Sequence, residues 1–241
     1  MSTINLERTV GELVAERPAR SRAFEEFGID YCCGGKKPLE DACREKGLSP
    51  AAVVERLLAA EAASEPDENV DCLGMGLTAL IDHIVNTHHA YLRNELPRLV
   101  ELLAKVAGRH GGKEPRLAEA EEVFHGLKAE LEMHMIKEEQ VLFPAIREMD
   151  ATNAPPSFGC GSITAPIVVM EMEHDNAGEA LERLRTLTDG YTPPDWACNS
   201  YRAVLDGLQS LERDLHQHIH KENNILFPRA VAMEQQVAGG A

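Results

Sequence analysis

No uninterrupted apolar run of roughly 18 residues occurs in the 241-residue chain, and its start lacks the charged, then apolar, then small-residue order of a secretion leader. The expectation is therefore a soluble, cytoplasmic protein. Basic residues are scarce, 24 against 40 acidic ones, for a formal charge of −16. Such a surface repels phosphate backbones and anionic lipid, which excludes nucleic acid and membrane as partners. A phosphate-binding glycine loop is missing. So is the zinc-protease helix, with two histidines four apart and a glutamate beside the first. The six cysteines do not have the placement of a small secreted scaffold, so thiols are expected rather than a structural disulfide.

Hydrophobic residues make up 44% of the chain, enough for one domain of about 150 residues and a smaller one. Four short helices are expected at 6–16, 18–27, 38–46 and 50–62, with Pro18, Pro38 and Pro50 near the starts of the last three and Gly28 and Gly47 near two of their ends. A polar stretch, 63–71, reads as a linker. Long helices follow at 77–107 (interrupted or kinked near Pro97), 115–149, 166–188 and 194–233. A crossover loop at 151–165 separates the second from the third, and a disordered tail is expected from about 235. The division is a cysteine-pair helical domain at 1–62, a linker at 63–74 and a four-helix bundle at 75–235. The fold class is all-α.

The long helices repeat themselves. HMIKEEQVLFP begins at His134 and HIHKENNILFP at His218, 84 residues later (218 − 134 = 84). Each sets a histidine and a glutamate four apart, His134 with Glu138 and His218 with Glu222. Residues at that spacing share one helix face, so each segment offers an imidazole beside a carboxylate. Upstream, His89 precedes His134 by 45 residues and His174 precedes His218 by 44. Apolar residues stand at offsets −4, +3, +7, +10 and +13 from both: Val85, Leu92, Leu96, Leu99 and Leu102, then Met170, Ala177, Leu181, Leu184 and Leu187. Each histidine thus lies on a buried stripe.

Periodicity also sorts the neighbouring histidines. Leu208, Leu211, Leu215, His218, Glu222, Ile225 and Leu226 form one stripe, and Leu127, Leu131, His134, Glu138, Val141 and Leu142 its counterpart. His216 and His220 fall with Glu212 on the opposite, solvated side. The repeat register favours His89 over His88, while His83, His110 and His125 lack counterparts and read as surface or supporting residues.

Four histidines and two glutamates from four helices are too many for one tetrahedral zinc. Two ions suit them better, each glutamate bridging and two histidines serving each ion, with an oxo or hydroxo group and water completing the shells. Iron is favoured, because such a dinuclear site in a helical bundle suits oxygen or nitric oxide chemistry at open positions. Burying six polar groups on apolar stripes without a shared partner would be costly.

The N-terminal module carries DYCCGGK, from Asp30 to Lys36. Adjacent Cys32 and Cys33 do not form an ordinary disulfide without strain, and no second pair completes a zinc site. A glycine-assisted turn with buried thiols and a reactive or metal-handling pair both remain open. In the second reading Lys36 and Lys37 would lower a thiol pKa.

With DYCCGGK, IDHIVNTHHAYLRNELP, HMIKEEQVLFP, MEHDNAGEAL and HIHKENNILFP in that order, the chain resembles the Repair of Iron Centers family over nearly its whole length. That family comprises hemerythrin-like di-iron proteins linked to rebuilding iron–sulfur clusters after oxidative or nitrosative damage. The resemblance places iron ligands on His89, His134, Glu138, His174, His218 and Glu222, with both glutamates bridging. It implies a stress protein that supplies iron to damaged clusters or reduces nitric oxide at the di-iron centre, so enzymatic activity is left open. Cys32 and Cys33 would then act as a thiol relay. The implied partners are damaged iron–sulfur proteins as clients and nitric oxide or dioxygen as small ligands, with a homodimer among the options for assembly. The alternative is a hemerythrin-like carrier or sensor of oxygen or nitric oxide, which has no need of the cysteine pair.

Overall fold

The computed structural model describes residues 4–64, 70–155 and 162–239. The core of the expected linker, 65–69, and residues 156–161 of the expected crossover loop, with Cys160, lie outside the described residues. Among those described, the only β pairing is an isolated bridge between Thr9 and Pro38, and the protein is all-α as its periodicity predicts. No described helix is long and apolar enough to cross a membrane. The chain divides into two compact units, Met1–Leu80 with His216–Ala241, and Ile81–Leu215.

In the first unit four short helices, α1 (Val10–Glu16), α2 (Arg20–Phe27), α3 (Leu39–Lys46) and α4 (Pro50–Ala63), enclose a core of Leu13, Phe24, Tyr31, Leu39, Val53 and Leu57. Helix α1 starts later than residue 6 because Thr9 and Glu12 form a reciprocal cap. The Thr9 hydroxyl accepts the Glu12 N–H at 3.2 Å, and the Glu12 carboxylate accepts the Thr9 N–H at 3.1 Å. Gly28 and Gly47 end α2 and α3 in the left-handed region, at φ +63° and +65°, which glycine enters without steric cost. The unit also holds the end of α10 (Asn199–Lys221), a π-helical turn at Glu222–Leu226, and α11 (Phe227–Gly239). Helix α11 continues through residues expected to be disordered.

The second unit is the helical bundle. After the last residues of α5 (Leu77–Ile84) and a π turn at Val85–His89 come α6 (Ala90–His110), α7 (Arg116–Lys137), a π turn at Glu138–Leu142, α8 (Phe143–Thr152) and α9 (Thr164–Leu187). Helix α7 packs along both α6 and α9. Their facing stripes bury Leu92, Leu96, Leu99, Phe124, Leu127, Leu131, Leu181, Leu184, Leu208 and Leu211 in one cluster. Each fully buried leucine contributes about 1.5–3 kcal/mol, so this cluster dominates the unit's stability. Of the interruption or kink expected near Pro97, the interruption is absent, since α6 runs through it. A departure from α geometry comes earlier, in the π turn at Val85–His89.

Candidate metal centre and cysteine turn

Three π turns end on or begin with a predicted ligand: Val85–His89, Glu138–Leu142 and Glu222–Leu226. A π turn widens the helix by one residue and re-aims its side chains, a device frequent at functional sites. It also explains a departure from the predicted stripe. Val141 is exposed, because the wide turn carries it outward while Leu142 stays buried.

In the second unit the structure brings together His89, His134, Glu138 and His174, all buried. One Glu138 oxygen lies 3.4 Å from the His89 Nε2 and 3.4 Å from the His134 Nε2. The His134 and His174 Nε2 atoms are 3.0 Å apart. Two nitrogens each about 2.1 Å from one ion, at right angles to it, lie about 3 Å from each other. The donor atoms of His134, Glu138 and His174 all fall within 4.8 Å of one another.

The outer nitrogens of two of these rings are held by acids absent from the predicted set. His89 Nδ1 donates to Glu139 at 2.6 Å, and His134 Nδ1 to Glu173 at 2.9 Å. A carboxylate only accepts, so the proton sits on Nδ1 and the Nε2 lone pair faces inward, where a metal would take it. Burial opposes ionisation of Glu139, but His89 and Arg93 outweigh it and hold the carboxyl below its ordinary range. Glu173 behaves alike, with His134 and Lys137 outweighing burial. Phe143 stacks on His89, with ring centres 5.8 Å apart, and covers the imidazole's apolar face. His88, which local periodicity left close to the core, instead pairs through Nδ1 with Asp214 at 2.8 Å.

A cation fits this cluster on one observation. Neither oxygen of Glu138 has a hydrogen-bond partner among the described residues, although the side chain is 0% exposed. A buried carboxylate without donors is expensive. A metal ion drawing on Glu138 and the inward imidazole nitrogens would remove that cost.

The first unit holds His218 and Glu222, both buried, with the His218 Nε2 2.9 Å from a Glu222 oxygen. His220 corrects the sequence reading, because it is buried rather than solvated. Its Nδ1 donates to the Tyr31 carbonyl at 3.2 Å and its ring meets the Tyr31 ring edge-on. Burial pushes its pKa down to about 4 against the opposing pull of that hydrogen bond, so it is neutral at pH 7. Glu212, placed on the same solvated side, is also buried and pairs with Arg185 at 2.7 Å.

Cys32 and Cys33 sit in a turn organised by Asp30, whose carboxylate accepts the Cys32 N–H at 2.9 Å, the Gly34 N–H at 2.8 Å and the Cys32 thiol at 3.1 Å. The two sulfurs are 4.0 Å apart. Asp30, Cys32 and Cys33 bring ligand atoms within 4.8 Å of one another. The lysines do not activate Cys32. The adjacent Cys33 thiol, burial and Asp30 hold it well above the ordinary thiol value, and Lys37 is engaged by Glu45. All five described cysteines are free thiols, as expected.

Residues 80–230 match the hemerythrin HHE cation binding domain, and residues 6–61 match a domain of unknown function, DUF542. Among similar proteins, the iron–sulfur cluster repair protein YtfE of Enterobacter sp. (strain 638) is 40% identical, over 95% of this chain and 98% of the relative. YtfE of Escherichia coli O157:H7 is 39% identical with the same coverage. A probable iron–sulfur cluster repair protein of Haemophilus influenzae is 36% identical, over 93% of this chain and 97% of the relative. A hemerythrin-like domain implies iron at such a histidine and glutamate cluster. Carrying that domain behind a cysteine-pair module along nearly the full length of these relatives, the chain belongs to the hemerythrin HHE family of iron–sulfur cluster repair proteins.

Proposed function

We propose that this protein holds two iron ions and uses them to restore iron–sulfur clusters damaged by oxidative or nitrosative stress. His89, His134, His174 and His218 are assigned as terminal ligands, and Glu138 and Glu222 as bridges, with an oxo or hydroxo group between the ions. The buried Glu138 carboxylate, with no hydrogen-bond donor among the described residues and two imidazole nitrogens 3.4 Å from one of its oxygens, carries this reading. His218 and Glu222 join the set through the 84-residue repeat, which gives them the same spacing as His134 and Glu138. The functional division follows the sequence: a cysteine-pair domain at 1–62, a linker at 63–74 and the hemerythrin-like part at 75–235.

Bound iron supplies electrons and open positions for nitric oxide or dioxygen. The protein's part is to hold the ligands ready. Glu139 and Glu173 retain the Nδ1 protons of His89 and His134, which keeps the Nε2 lone pairs available and the rings fixed. Protonation of the ligands would release metal, which suits a centre that supplies iron to clients. Cys32 and Cys33 are assigned as the relay through which iron or nitric oxide passes. The clients are damaged iron–sulfur proteins.

Metal analysis and the ultraviolet–visible spectrum of protein purified without added metal test the centre. About two irons per chain with oxo-to-iron absorption, both lost in His134→Ala and Glu222→Ala, are expected. One zinc, or no metal with only stability altered by the substitutions, overturns the assignment. For the relay, Cys32→Ala with Cys33→Ala should keep the iron content and slow transfer to an apo-cluster client. Transfer at the wild-type rate removes the cysteines from the mechanism.

A further inference from the structure

The repeat breaks at one position beside a ligand. Counting back 84 residues from Asn224 gives residue 140 (224 − 84 = 140), an exposed glutamine. Asn224 follows Glu222 by two residues in the same π turn and is engaged by the cysteine turn. Its Nδ2 donates to the Cys32 carbonyl at 2.9 Å and to the Tyr31 carbonyl at 3.3 Å. His220, one helical turn earlier, holds the Tyr31 carbonyl as well, at 3.2 Å.

Two glycines shape the seat of the Asn224 amide. A Cβ added at Gly11 would lie 2.6 Å from its Oδ1, and one added at Gly35 would lie closer still. Those glycines are joined by the Gly11 N–H donating to the Gly35 carbonyl at 2.9 Å, and the next strut is the Val10 N–H on the Lys37 carbonyl at 2.9 Å. The first N–H groups of α1, which no helical carbonyl can satisfy, are thereby spent on the cysteine loop. Asp30 closes the turn from inside, while Asn224 grips its carbonyls from the helix that presents His218 and Glu222. A side chain on either glycine, or a longer amide at 224, would not fit this seat.

We propose that Asn224 is the positioning residue of the cysteine pair: it ties the backbone at Tyr31 and Cys32 to the helical turn that carries Glu222, so that iron held by this turn controls access to Cys32. Metal binding fixes the ligand turn, the fixed turn fixes the amide, and the amide holds the Cys32 carbonyl in place. Without metal the turn opens more often and the buried thiol is exposed more often. Gln140, the residue at the matching place in the first repeat, is exposed. The inference rests on the assignment of His218 and Glu222 as iron ligands.

The test is the rate of iodoacetamide alkylation at Cys32, read by peptide mass spectrometry on the full-length protein, iron-loaded and metal-free. Cys43, buried in the helical core of the same unit, reports whether that core stays folded. In the wild type, iron loading should slow Cys32 alkylation by at least about tenfold, the order that two hydrogen bonds impose on a local opening equilibrium. In Asn224→Asp, where a carboxylate faces two carbonyls, the loaded and metal-free rates should agree within about twofold, with iron content and Cys43 protection retained. A Cys32 rate still slowed by iron in that variant overturns the proposal, as does a wild-type rate indifferent to iron. If Cys32 and Cys43 rise together, Asn224→Ala decides: a rise at Cys32 alone supports the proposal, and any other pattern overturns it. His218→Ala with unchanged iron content would instead refute the ligand assignment, so the two failures are distinguishable.

Discussion

Glu139 accepts the Nδ1 proton of His89 at 2.6 Å, reaching across from the turn that presents Glu138. Arg93 holds the same carboxylate oxygen at 2.5 Å. Glu139→Gln keeps an acceptor but removes the charge that makes the imidazole a stronger donor to metal. Iron affinity should fall by about 10–100-fold, the usual effect of losing such a supporting partner. Competition against an iron chelator measures it, with circular dichroism confirming the fold. An unchanged affinity would mean that Glu139 serves the Arg93 ion pair alone.

Arg20 is 4% exposed and donates to the Leu13 carbonyl at 2.9 Å, Glu61 at 2.6 Å and Glu16 at 2.9 Å. Arg20→Ala leaves the buried Leu13 carbonyl without this donor and should cost about 1–3 kcal/mol in the first unit, the penalty of an unpaired buried acceptor. Chemical denaturation of the full chain checks it. The pH dependence has a definite sign. Arg20 and then Arg8 lower the Glu16 pKa, so Glu16 contributes stability above its ordinary value of 4.5 and loses it as the pH falls through the lowered folded value. Glu16 is largely exposed, so this acid limb is shallow. It should be shallower still in Arg20→Ala.

The ligand pairs were readable because they recur with the same spacing on stripes of period 3.6, and the buried leucines of α6, α7, α9 and α10 follow the same rule. What local periodicity could not supply was the wide π turns, since a stripe drawn through Glu138 at α pitch buries Val141 and the structure exposes it. The supporting acids were missed although each adjoins a ligand in sequence, Glu139 after Glu138 and Glu173 before His174. Their partners come from other helices, and no local pattern contains them. His220 failed for a related reason. Its face is covered by Tyr31, 189 residues away in the chain.

Gly207 and Gly108 should respond oppositely to alanine. A Cβ at Gly207 would stand 2.6 Å from the Leu99 Cδ2 and 2.9 Å from an Arg98 nitrogen, so the helices approach there over a bare backbone. Gly207→Ala should cost about 1–3 kcal/mol through overpacking. Gly108 lies within α6 with open space around its Cβ direction. Gly108→Ala should stabilise by about 0.4–1 kcal/mol by restricting the unfolded chain. Thermal unfolding compares them, and equal shifts for the two variants would refute the close approach.

Cys198 is exposed, and its Sγ lies 3.2 Å from the Nε2 of His110. Its carbonyl accepts the Arg202 N–H at 3.0 Å, which places the residue at the start of α10. His110 is held in turn by stacking on Tyr201, with ring centres 5.8 Å apart and planes 26° from parallel. Lys113 sits over the neighbouring Trp196 at 4.1 Å. The imidazole is thus fixed where it can accept the thiol proton as an electrophile arrives. Iodoacetamide at neutral pH should therefore modify Cys198 before the buried Cys43 and Cys72. His110→Ala, although it uncovers the sulfur, should slow Cys198, and His110→Gln, which cannot take the proton, should slow it as well. A rate that survives both substitutions would show that exposure alone sets the reactivity of this thiol.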